Sequence, residues 1–173
     1  MKAKSIKGKS AEDIKSALGQ SMTDGFKPTL AVVFLSVSQD RKAICNLLDS
    51  NGIAIFGATT SGEFIDEVTE KGTVVILLLD IKKDYFQIFF DEYPEKNYRE
   101  TTRRIAEEAR TKFPKPAFLI SGSHLETDAE QLLLDLKMWW AKMLMFTAAW
   151  LPMITHSPSN LYLPMERKAA RVS

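Results

Sequence analysis

The chain is poor in the residues that carry most recognisable chemistry. It has one cysteine, Cys45, in 173 residues, which excludes an intramolecular disulfide framework and a multi-cysteine zinc site. Charge of one sign is lacking too: 23 Lys and Arg stand against 22 Asp and Glu, so the net charge of +1 leaves no electrostatic footprint for nucleic acid. No apolar h-region follows the charged start Met-Lys-Ala-Lys-Ser-Ile-Lys, so no signal peptide is expected and a cytoplasmic location is. A Gly-x-Ser-x-Gly elbow, a Walker loop and a dinucleotide fingerprint are all missing. These absences predict a protein that is not an enzyme, with no catalytic residue, no metal and no cofactor. What is present is apolar: 45% hydrophobic content is enough for one substantial core, hence one domain.

Residues 2–9 fit an edge strand whose lysines discourage further pairing. Ser10 and Asp13 resemble a capping box and open a helix to about Gly25. Residues 29–36 form a continuous apolar run, as in a strand buried on both faces. Asp40 caps a helix with Ala43, Ile44, Leu47 and Leu48 on one side; Asn51-Gly52 ends it, and residues 53–56 return as the next strand. Such a βαβ unit has parallel strands and a right-handed crossover. Residues 64–68, 73–81 and 85–90 are then strand-like, joined by Glu70-Lys71-Gly72 and Lys82-Lys83-Asp84, and turns this short predict antiparallel neighbours. Asn97 starts a helix striped by Ile105, Ala106, Ala109 and Phe113 and stopped at Pro114. Residues 117–121 fit a further strand, and Thr127-x-x-Glu130 a capping box for another helix. The predicted fold class is α/β (mixed α+β), a mixed parallel/antiparallel sheet flanked by helices.

The stretch 53–66 is the most informative. A short apolar strand runs into Gly57 and a turn rich in hydroxyls, Thr59, Thr60 and Ser61, followed by Gly62 and Glu63. Glycines permit close backbone approach or positive φ, and hydroxyls beside free N–H groups hold small polar ligands. The carboxyl end of a strand is where open α/β sheets bind ligands. The competing reading is a structural turn whose hydroxyls satisfy local backbone groups. This text resembles the "G-(x)-T-S-G-E" signature of the FIST sensory domain, a bacterial signal-transduction module. The resemblance implies sensing of a small molecule, amino acids among the classes, coupled to a separate output protein such as a kinase or a cyclic-dinucleotide enzyme. No nucleic acid and no membrane partner is expected. The residues it singles out for ligand binding are Gly57, Thr59, Thr60, Ser61, Gly62 and Glu63.

Composition breaks after about Leu133: all three tryptophans and five of the seven methionines lie beyond it. Met and Trp have single codons, so the nucleotides beneath them are fixed. Rebuilding codons from the third base of each residue and the first two of the next forces Val-Val-Gly across Met138-Trp139-Trp140-Ala141, Val across Met145-Phe146 and Asp across Met153-Ile154. Degenerate positions between them permit a Gly-Gly-x-Ala-x-Asp segment, which resembles FIST domains at this distance from the Thr-Ser-Gly-Glu turn. The remaining frame forces a stop codon across Met153-Ile154. The expectation is a one-base deletion or two-base insertion near residues 132–135. Residues 1–134 would then be a partial N-terminal FIST domain, an incomplete domain, and 135–173 an out-of-frame tail without native fold.

Other candidates have plainer accounts. His124, Glu126 and Asp128 match no metal-ligand spacing and suit a solvated loop before a helix N-terminus. Cys45 reads as a small buried hydrophobe. Arg99, Arg103, Arg104 and Arg110 alternate with Glu100, Glu107 and Glu108, a solvated helix face with i,i+4 pairs. Two rival functions remain: an interaction protein whose apolar tail, residues 138–154, docks on a partner or membrane surface, and a small hydrolase acting through Ser61 or Ser121.

Overall fold

The computed structural model describes residues 1–60, 62–65, 68–91, 97–121, 128 and 153–156. Strand β1 (Lys2–Gly8) leads into helix α1 (Ala11–Ser21), whose N-cap Ser10 accepts a hydrogen bond from the Asp13 amide at 3.1 Å. Asp13 in turn accepts from the Lys9 amide at 2.9 Å, so orphan donors at both sides of the cap are satisfied. Strand β2 (Leu30–Ser36), helix α2 (Arg41–Ser50) and strand β3 (Ala54–Thr60) form the expected βαβ unit with β2 and β3 parallel. Asp40 caps α2 through the Ala43 amide, and Gly52 takes φ +69° where the helix gives way to β3. A short hairpin of β4 (Glu63–Ile65) and β5 (Val68–Glu70) precedes β6 (Val74–Asp80). Helix α3 (Tyr98–Lys112) and strand β7 (Met153–His156) complete the elements.

The main sheet has the order β1-β6-β2-β3-β7, with β2–β3 parallel and every other pair antiparallel. Its two faces differ. Ala31, Val33 and Leu35 of β2, Ile55 of β3 and Val74, Ile76 and Leu78 of β6 face Ile14 and Leu18 of α1 and Ile44 and Leu48 of α2, and all are buried. Each buried Val, Leu or Ile side chain contributes about 1.5–3 kcal/mol by leaving water. Alternation sends Leu30, Val32 and Phe56 to the other face, where they floor an apolar cavity of about 390 Å³ roofed in part by Thr101, Ile105 and Ala109 of α3. This second face is less covered, and Leu77 upon it is 38% exposed.

Five expectations are corrected. Residues 85–90 are not a strand: a 3-10 turn spans Lys83–Tyr85, and the following residues leave the sheet to line the cavity. The reason is that β6 already pairs on both edges, with β1 and β2. For the same reason, the turn Glu70-Lys71-Gly72 does not make a hairpin with β6; the hairpin formed is β4–β5, and Gly72 takes φ +73°. Residues 64–68 are accordingly split between β4 and β5, not one strand. Residues 117–121 also line the cavity without strand pairing, since the open edge of β3 is taken by β7. Strand β3 runs longer than expected, so that Thr59 and Thr60 belong to the strand and not to a turn. The capping box at Thr127 lies outside the described residues. Of the expected out-of-frame tail, only β7 falls within them.

Polar ties hold the edge strand. Lys4 donates to the Ser21 carbonyl at 2.6 Å, at the C-terminus of α1, and pairs with Asp24 at 2.8 Å. The hydrogen bond from Lys4, then that from the Phe26 amide, holds the Asp24 carboxyl below the usual range. A lowered carboxyl stabilises the fold above the ordinary aspartate pKa, and the contribution is lost as pH falls through the lowered value. Asp24→Asn should therefore lower the urea midpoint slightly at neutral pH, and the difference from wild type should close in acid and in high salt.

Gly57 provides a second test. A Cβ there would lie 2.8 Å from the carbonyl carbon and 2.9 Å from the nitrogen of Val33, its partner on β2. Gly57→Ala should cost about 3 kcal/mol or more in urea unfolding, because strand backbones cannot shift cheaply. Gly19 in α1 has nothing within 4 Å of such a Cβ, and Gly19→Ala should gain about 0.5 kcal/mol.

Candidate functional site

The βαβ unit brings the carboxyl ends of β2 and β3 together, with Ser36 opposite Thr60. Strand β6 enters on the far side of β2 in the opposite direction, so its start lies at the same edge: the Ser36 amide donates to the Thr73 carbonyl at 3.0 Å. Three adjacent strands thus offer one hydroxyl residue each, Thr60, Ser36 and Thr73, on the face that carries Phe56. Thr60 lies four residues beyond Phe56, about 13 Å along the strand. The polar row and the apolar cavity are therefore separate places on one sheet face.

Glu63 closes this row. Its side chain is only 2% exposed, yet it carries a carboxylate. Oε1 accepts from the Thr60 hydroxyl at 2.5 Å, and Oε2 accepts from the Thr73 amide at 3.2 Å and the Thr73 hydroxyl at 3.1 Å. All three donors are neutral, and hydrogen bonds of this kind to a charged acceptor contribute about 1.5–3 kcal/mol each. They offset the cost of burying the charge, and they tie the exit of β3 to the entry of β6. Next to them, the Ser36 and Ser38 hydroxyls lie 3.0 Å apart, and Gln39 donates to the Gly72 and Lys9 carbonyls at 2.7 and 3.0 Å. The loop after β2 is thereby fixed to the same edge.

The sequence-predicted residues separate into distinct places. Thr60 and Glu63 come together directly, and half-buried Gly62 lies beside Glu63 in the chain. Thr59 points to the opposite face with Ile55; it is buried, and its hydroxyl has no partner among the described residues. Gly57 is packed against the Val33 backbone within the sheet, which gives it a packing role. Ser61 lies outside the described residues. Sequence reasoning missed Thr73, Ser36 and Ser38. The only signal for them was a small hydroxyl at the end of one apolar run and at the start of another, and no spacing rule told which strands would be neighbours.

Other groups have structural accounts. Burial pushes the Cys45 thiol up to about 11, which suits an unreactive side chain. On α3, Arg103 pairs with Glu107, and Arg104 pairs with Asp91. Among the described residues no group of three or more His, Cys, Asp or Glu is placed to hold a metal ion, and no helix is long and apolar enough to cross a membrane.

The strand end that carries Thr60, Ser36, Thr73 and Glu63 lies within the part of the chain that a family model matches. The FIST N domain family matches residues 29–140, and the chain belongs to that family. FIST domains are sensory domains implicated in signal transduction. Comparison with curated proteins and with solved structures finds no match.

The Glu63 network sets a stability test. Glu63→Ala leaves the Thr73 amide and both hydroxyls without their acceptor, and should cost about 3 kcal/mol in urea unfolding. Thr73→Val keeps the amide donor and loses one hydroxyl, so about 1 kcal/mol is expected.

Proposed function

We propose that this chain is the ligand-binding part of a bacterial sensor, taking a small polar molecule, amino acids among the classes, at the carboxyl edge of β2 and β3. The observation that carries this reading is the convergence of Thr60 and Thr73 on buried Glu63 at one strand end, with Ser36 bonded to Thr73 beside them. Open α/β sheets bind ligands at such edges, and family membership supplies the sensory role. Gly62 and Ser61 are further ligand-binding candidates in this reading. The signal passes to a separate output protein, such as a kinase or a cyclic-dinucleotide enzyme, and the chain performs no catalysis.

Binding in this chain is weak, because the Gly-Gly-x-Ala segment of the family is present only in the shifted reading frame of residues 138–154. The family match ends at residue 140, a few residues past the break in composition. Sequencing independent DNA across codons 128–173 tests the frame. Restoring one base should open the Val-Val-Gly and Gly-Gly-x-Ala text; an unchanged, closed frame would favour the tail-docking alternative. Calorimetry with an amino-acid panel should give dissociation constants in the millimolar range or weaker for this chain. Micromolar binding would contradict the impairment, and tighter binding by the restored-frame protein would support it.

A further inference from the structure

The turn that ends α2 holds a side-chain amide that its own backbone can attack. Of the four asparagines, only Asn51 is followed by glycine. A glycine has no Cβ to hinder the approach of its nitrogen to the preceding side chain. Both Asn51 and Gly52 are exposed, and nothing lies within 4 Å of where a Cβ on Gly52 would stand. The corresponding aspartyl pair, Asp24-Gly25, has its carboxylate bonded to Lys4, and a charged carboxylate is a poor electrophile.

The folded turn keeps the reacting atoms apart. Asn51 has ψ 5°, which turns the Gly52 nitrogen away from the side chain, and closing a five-membered ring requires a large rotation about that bond. The Gly52 amide donates to the Asp49 carbonyl at 2.8 Å and the Ile53 amide to the Leu48 carbonyl at 3.2 Å, so the rotation breaks the turn. Asn51 Nδ2, the leaving group, donates to the Leu47 carbonyl at 2.8 Å. Helix ends open at low cost compared with a core, so this turn opens without global unfolding.

We propose that Asn51-Gly52 is a self-modification site, converting to aspartate and isoaspartate at a rate set by local opening of the α2 end. The Gly52 nitrogen bonds to Asn51 Cγ, the Cγ–Nδ2 bond breaks, and Nδ2 leaves as ammonia, taking up the Gly52 amide proton. The succinimide then consumes one water. Opening at Cγ gives aspartate; opening at the main-chain carbonyl gives isoaspartate, with one extra atom in the backbone. Nothing is oxidised or reduced. Either product alters the βαβ unit. A carboxylate cannot donate to the Leu47 carbonyl, and its charge sits at the negative end of the α2 dipole. The extra isoaspartyl atom falls between α2 and Ala54, whose amide donates to the Thr29 carbonyl at 3.0 Å where β3 joins β2. The site does not depend on what the strand end binds.

The test is peptide mapping of the full chain after incubation in mildly alkaline buffer, folded and in denaturing urea, with labelling by an isoaspartate-specific methyltransferase. The Asn51 peptide should show the mass gain of an amide-to-acid change and the methyl label, about tenfold or more slowly in the folded chain. Urea below the unfolding midpoint should speed conversion, since conversion tracks the opened population. Asn51→Asp, which carries the product's charge, should lower the urea midpoint; an unchanged midpoint would overturn the effect on the βαβ unit. No conversion at Asn51 in the unfolded chain would overturn the assignment of the site. Equal rates in the folded and unfolded chain, or a rate indifferent to low urea, would overturn the control by the α2 end. Equal conversion at Asn46 or Asn97 would overturn the selectivity.

Discussion

Strand β6 runs between β1 and β2, antiparallel to both, and the rest of the molecule is arranged around that placement. An apolar run such as Val74–Leu79 pairs on both edges because its backbone groups cannot be left unpaired in a core. Once both edges are used, residues 85–90 have no place beside it, and they turn away to line the cavity under α3. Strand β1 is left as the sheet edge, carrying Lys2, Lys4 and Lys7, residues that blunt an edge against further pairing. The same placement brings Thr73, the residue before β6, to the carboxyl end of β2, where it meets Ser36 and Glu63.

Glu63 then converts that proximity into a fixed geometry. A carboxylate removed from water is tolerated only where donors replace its hydration. The donors here come from Thr60 at the end of β3 and Thr73 at the start of β6, so the charge can be buried only while both strand ends hold their places. Acceptor and donors are mutually dependent, which makes the edge a rigid arrangement carried on strands and not on a free loop. The consequence for chemistry is that the Thr60 and Thr73 hydroxyl protons are both directed at Glu63.

Local order was legible in the sequence because its signals are local. The Ser10 and Asp40 caps, Gly52 after α2, Asn97 before α3 and the parallel β2–β3 pair each follow from a few neighbouring residues, and each is present. The strand errors have a common origin. Residues 85–90 and 117–121 have strand composition, but a strand exists only where an edge is free, and edge occupancy is a property of the whole sheet. The site divides in the same manner. Thr60 and Glu63 were visible as polar residues three apart after an apolar strand, whereas Thr73 and Ser36 join them through pairing of residues far apart in the chain. Gly57 was legible as a glycine that mattered, but whether it faced a ligand or another backbone required the position of Val33.

The two faces of the sheet differ in how they are covered. One face is closed by α1 and α2 over Val33, Leu35, Ile55 and Ile76, so most of the buried apolar area lies there. The other ends in the Thr60, Ser36 and Thr73 row and is only partly roofed by α3. Side chains alternate along β3, so Thr59 and Thr60, though adjacent, belong to these different regimes. Thr59 sits buried on the packed side, its hydroxyl without a partner among the described residues, and Thr60 is half-buried and bonded to Glu63 on the other side. A domain built in this way can vary the residues of its strand-end row while its core on the opposite face stays intact.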